Sequence, residues 1–169
     1  MSDRIWLAIR SIAWAALLPG FFAGYVPWRY FGLAHVQLTL RRPVHMLGLM
    51  GIGVGVVLLG SCIWQFAHSG RGTLAPLDPP RQLVVRGPYR YVRNPMYAAV
   101  TAIVLGEVLL TRTVALLTYW VIWFVCVNLF VIGYEEPTLH RQFGESYEQY
   151  TRTVGRWIPR RPDRLSSRQ

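Results

Sequence analysis

The chain has 169 residues, enough for one domain, and 53% of them are hydrophobic. The formal net charge is +10, and all 18 basic residues are arginine. Because the apolar residues form long uninterrupted runs with the arginines between them, the sequence indicates an integral membrane protein and argues against a soluble core or nucleic-acid binding.

The apolar runs predict about four transmembrane helices, in a single all-α membrane domain that covers residues 1–169. The predicted spans are residues 11–28, 44–66, 95–110 and 114–133. The second span is rich in glycine, which favours close helix packing over a ligand contact. Cys62 and Cys126 lie inside apolar runs without ligand spacing, so the sequence predicts neither a disulfide framework nor a metal site.

The connection between the second and third spans is long and contains four prolines, which suggests a functional loop. Asn94 suits a helix N-cap and Pro95 suits the first helical position, so the third span should begin sharply there. A polar turn around Arg112 then predicts a C-terminal helical hairpin. The arginine-rich tail is predicted to be helical from about Glu136 to Val154.

The arginine distribution predicts the orientation in the membrane. Most arginines fall in the N-terminal segment, the loop before Pro95 and the tail, whereas only four fall in the other connections. The positive-inside rule therefore places both termini in the cytoplasm, in an inner membrane.

The hairpin should bring polar residues from two distant segments together. Pro95 lies 17 residues before Arg112 and Glu135 lies 23 after it, so at ~1.5 Å per residue Glu135 projects roughly 9 Å beyond the start of the third span. The residues expected to converge at the cytoplasmic membrane surface are Tyr89, Arg93, Asn94, Tyr97, Glu135 and Glu136.

These residue types suit a zwitterionic ligand. Free N–H groups at the start of the third span and the Arg93 guanidinium attract a carboxylate, whereas Glu135 and Glu136 attract a positive centre. A capped helix start and a solvated helix end would explain the same residues without a ligand. Glu107 lies at membrane depth, where a structural role is favoured over a catalytic one.

The motifs of this region also resemble those of a known family. The stretch LVVRGPYRYVRNPMY (residues 83–97) is followed by Glu-Glu-Pro-Thr-Leu (135–139), Phe-Gly (143–144) and a Tyr-x-x-Tyr segment (147–150). Their order and spacing resemble those of the isoprenylcysteine carboxyl methyltransferases and the related phospholipid methyltransferases.

The resemblance implies methyl transfer from S-adenosylmethionine to a lipophilic acceptor, such as a prenylcysteine-like carboxylate or a lipid headgroup, at the cytoplasmic membrane face. It places the site in residues 81–97 and 131–150, with Glu135, Glu136 and Arg93 as candidate catalytic residues. The candidate cofactor-binding residues are Gln82, Leu83, Val84, Tyr89, Asn94, Pro95, Met96, Tyr97 and Glu135.

Two positions depart from the family pattern. Asn94 replaces the family's histidine and cannot titrate near neutral pH. Val131 stands where the prenylcysteine enzymes carry a substrate-binding arginine. Two other functions stay open at this stage: a membrane reductase that uses NAD(P)H, and a membrane subunit without enzymatic activity.

Overall fold

The computed structural model describes residues 17–36, 39, 41–69 and 83–160, and these are mainly helical. Helix α1 covers residues 17–30, α2 is Pro43–Ser69, α3 is Pro95–Thr111 and α4 is Val114–Phe130. Helix α5 is Glu136–Phe143 and α6 is Glu145–Thr153. Short 3₁₀ turns lie at Leu33–His35 and Gly87–Arg90.

Two helical segments in this part of the chain are long and apolar enough to cross a membrane, Pro43–Gln65 and Val114–Phe143, and α3 is a shorter apolar helix of 17 residues. The predicted all-helical fold is therefore confirmed. The count of four spans and the orientation stay predictions, and residues 11–16 of the first predicted span lie outside the described residues. The outer faces of α2 and α4 are lined by exposed apolar residues, which fits a lipid environment.

Helices α2 and α3 pack closely along a row of glycines. A Cβ atom added at Gly48 would lie 2.7 Å from the Gly106 carbonyl oxygen, and one added at Gly55 would lie 2.7 Å from the Ala99 carbonyl oxygen. Such backbone proximity is possible only without side chains. The predicted packing role of these glycines is thus confirmed, although Gly53 and Gly60 lie outside the contact.

The hairpin of α3 and α4 turns at Arg112, which adopts the left-handed conformation with φ 55°. Helix α4 then continues past the predicted end at residue 133, through a π-helical turn at Val131–Glu135, directly into α5. This π-helical turn ends two residues before Pro137. A second π-helical turn, at Phe21–Tyr25 in α1, ends two residues before Pro27. A proline removes one helical N–H and clashes with the carbonyl four residues earlier, and a wider turn accommodates both effects.

The sequence predicts a helical tail from about Glu136 to Val154, and the structure divides it into two helices. The break lies at Gly144, which has φ 51°. Glycine tolerates this conformation, so the chain changes direction between α5 and α6. The reversal buries Tyr147, Tyr150 and Val154 against Leu83 and the side chains of α5. The tail thereby covers the segment that leads into α3.

Candidate active site

The structure brings the starting residues of α3 and the end of α4 together, as the hairpin geometry predicts. The Tyr97 hydroxyl donates a hydrogen bond to the Glu135 carboxylate. Tyr89 lies close enough for the charge of Glu135 to act on its hydroxyl. Glu135 therefore faces the start of α3, and among the residues that the structure describes its buried Oε2 atom has no hydrogen-bond partner.

Glu136 has a different environment from its neighbour. Its carboxylate forms an ion pair with Arg93 (Nη1 to Oε1, 2.9 Å) and accepts two hydrogen bonds from Arg156, at 2.8 Å from Nε and 2.7 Å from Nη2. The hydrogen bonds that Arg156 donates to Glu136 raise the pKa of Arg156. Two guanidinium groups thus neutralise Glu136, so it holds the tail in place and is not available as a free carboxylate.

The backbone after α6, residues 154–160, forms what we call the tail segment, and it lies against the residues before α3. The Arg93 N–H donates to the Gly155 carbonyl (2.8 Å), and the Arg160 N–H donates to the Tyr91 carbonyl (3.0 Å). The Trp157 indole donates to Asn128 Oδ1 at 3.1 Å, which ties the tail segment to α4. Through these hydrogen bonds the tail segment holds the residues before α3 in position against α4.

Asn94 is buried and occupies the N-cap position of α3, as the sequence predicts, but its side chain does not cap the helix. No hydrogen bond joins that side chain to the first turn of the helix. Its Nδ2 atom instead donates to the Arg156 carbonyl at 3.4 Å, because the tail segment lies within reach. The N–H groups of Met96 and Tyr97 precede the first intrahelical bond, from Ala98 to Asn94, and so belong to the free end of the helix.

The remaining predicted cofactor-binding residues lie in different surroundings. Val84 and Met96 pack with Tyr89 and Ile63 beside the polar cluster, whereas Leu83 packs against the aromatic residues of α6. Pro95 is buried at the first position of α3. Gln82 lies outside the described residues.

Burial raises the pKa of the Tyr89 phenol well above its ordinary value, and nearby Cys62 and Glu135 add to the effect. Tyr89 therefore stays protonated and can donate a hydrogen bond. Its backbone carbonyl accepts a hydrogen bond from the Tyr150 hydroxyl at 2.7 Å. The sequence gives no role to Cys62 in the site, whereas the structure places its thiol in a hydrogen bond with Tyr89.

Glu107 is buried and 4% exposed, with Oε2 unpaired within the described part of the chain. It lies three turns along α3 from Tyr97, so the structure does not bring it into the polar cluster. A catalytic role has no support from this position.

Fold and site together define a helical membrane protein with a polar cluster where a hairpin meets its tail. A family model described as phospholipid methyltransferase matches residues 43–146. The chain belongs to this family of membrane methyltransferases, whose members generally use S-adenosylmethionine, and the resemblance seen in the sequence is confirmed. No curated protein matches the chain significantly.

Proposed function

We propose that the protein transfers a methyl group from S-adenosylmethionine to a lipophilic acceptor at the cytoplasmic face of the membrane. The observation that carries this proposal is the buried Oε2 atom of Glu135, which has no partner among the described residues, on a side chain that contacts Tyr97 in the first turn of α3. A buried carboxylate oxygen without a partner is costly, and a cationic ligand would supply the missing interaction.

The residues present fit the charges of this cofactor. The free N–H groups of Met96 and Tyr97 and the helix dipole suit its carboxylate. The unpaired Nε of Arg93 is a further donor among the residues described here. Glu135 suits its ammonium or sulfonium, while Tyr89, Val84 and Met96 provide the apolar and phenolic wall.

The bound cofactor would supply an electrophilic methyl group. The protein's part is then to orient the acceptor in line with that group and to exclude water. A carboxylate acceptor needs no base. An amine acceptor must arrive deprotonated, and Glu135 is the carboxylate placed to accept its proton, because Glu136 is held by Arg93 and Arg156. The acceptor would be either a prenylcysteine-like carboxylate or a lipid headgroup.

The proposal is tested by calorimetric binding of S-adenosylmethionine to the detergent-purified protein. We expect micromolar affinity in the parent and a loss of about tenfold to a hundredfold in Glu135→Gln, the usual effect of removing a charged hydrogen-bond partner. Glu145→Gln removes the same charge from an exposed position on the tail and should bind like the parent.

Equal affinity in Glu135→Gln and Glu145→Gln would overturn the site. A nicotinamide dinucleotide is titrated in parallel, because its binding in place of S-adenosylmethionine would favour a membrane reductase. Binding of neither compound would favour a subunit without enzymatic activity.

A further inference from the structure

An apolar cavity lies next to the polar cluster, between α1, the start of α3 and α4. Its volume is about 310 Å³, at the small end of the ~300–1,000 Å³ typical of ligand pockets. Its walls are apolar side chains of these three helices, and they include Phe22, Tyr97, Cys126 and Phe130.

One wall of the cavity is shared with the candidate active site. Tyr97 lines the cavity and also donates its hydroxyl hydrogen bond to Glu135. A molecule with an apolar body in the cavity would therefore present its polar end at Glu135. Phe130 lines the cavity just before the π-helical turn that carries Glu135, so both features depend on the same stretch of helix.

We propose that this cavity holds a single hydrocarbon chain of the methyl acceptor, about ten carbons long. A water-sized group occupies roughly 30 Å³, and a methylene is of similar size, so the volume accommodates about ten methylenes of a single chain. The inference rests on the proposed methyltransferase function, because that function supplies the reacting headgroup at Glu135.

The test measures binding of n-alkanols, from 1-hexanol to 1-hexadecanol, by native mass spectrometry of the protein in amphipol without cofactor, because a hydroxyl group can donate a hydrogen bond to Glu135. Each added methylene should strengthen binding about fourfold while it is buried. We expect this increase to stop near ten carbons. An increase that continues unchanged to 1-hexadecanol would overturn the proposal and indicate non-specific binding to the apolar surface of the protein.

Phe22 and its neighbour Phe21 provide a matched pair of variants. Phe22 lines the cavity, whereas Phe21 is 47% exposed and does not. Phe22→Ala should move the limit to longer chains, and Phe21→Ala should leave it unchanged. On α4, Cys126→Phe should move the limit to shorter chains, whereas Val125→Phe, at an exposed position, should not. Identical limits within both pairs would refute the assignment.

The binding of S-adenosylmethionine, measured on the same samples, separates the two proposals. If S-adenosylmethionine binds but no chain-length limit is found, only the cavity assignment is overturned. If a chain-length limit is found but S-adenosylmethionine does not bind, the methyltransferase site is overturned and the cavity remains a binding site for a hydrocarbon chain.

Discussion

Replacement of Gly55 by alanine measures how strongly the contact between α2 and α3 stabilises the protein. The added Cβ would lie 2.7 Å from the Ala99 carbonyl oxygen and 2.6 Å from Ile103 Cγ1. Both distances are far below van der Waals contact, and the carbonyl belongs to a helix backbone that cannot rotate away. Overpacking of this kind costs ~1–3 kcal/mol. We therefore expect the melting temperature to fall by roughly 2–12 °C, at about 2–4 °C per kcal/mol for a chain of this size.

The assay is thermal unfolding in nanodiscs, followed by tryptophan fluorescence, with Gly53→Ala as the control. No atom of the described residues lies within 4 Å of a Cβ at Gly53, so that variant should be unchanged or stabilised by up to about 1 kcal/mol. Both variants gain the same helix propensity, and the difference between them isolates the contact. Equal melting temperatures would refute the packing argument. Unchanged stability of Gly55→Ala with weakened cofactor binding would show that the glycines serve the ligand instead.

Three further variants test the site and its surroundings. Arg156→Ala should destabilise the protein by about 1 kcal/mol, since its bidentate bond to Glu136 is partly exposed, and it should weaken S-adenosylmethionine binding; unchanged values in both assays would contradict a positioning role. Tyr150→Phe leaves the Tyr89 carbonyl without its 2.7 Å donor and should lower the free energy of unfolding by ~0.5–1.5 kcal/mol in the same melting assay. An unchanged free energy of unfolding would show that water replaces the hydroxyl. Glu107→Gln keeps the shape of a buried side chain and replaces its carboxyl group with a neutral amide, so we expect an equal or higher melting temperature and unchanged cofactor affinity; a large loss of affinity would assign Glu107 a role in the site.

The sequence was sufficient to predict the hairpin because its signals are local. Pro95 occupies the first position of α3, and the polar turn at Arg112 separates two uninterrupted apolar runs. The length of each run then determines which residues meet at the open end of the hairpin. The approach of Glu135 to Tyr97 follows from counting residues along two antiparallel helices, with no information from the rest of the chain.

The contacts of the tail could not be predicted in the same way. Arg156 is one of several arginines in a polar segment, and no spacing distinguishes it from the others. Its position depends on the break at Gly144 and on the return of the chain across α5 and the start of α3. The Asn94 side chain illustrates the consequence: local sequence favours a helix cap, and a tertiary contact with the Arg156 carbonyl replaces it.

The two adjacent glutamates show how the fold assigns different roles to identical side chains. Successive helical residues point in directions roughly 100° apart, so Glu135 and Glu136 cannot face the same partner. The π-helical turn ends at Glu135, which faces Tyr97, and Glu136 begins α5 beside Arg93 and Arg156. Two arginines therefore compensate one carboxylate and hold the tail, while the other carboxylate keeps an unpaired oxygen. A carboxyl oxygen without a partner among the described residues, beside the positive end of α3, is an arrangement that suits a zwitterion of matching polarity.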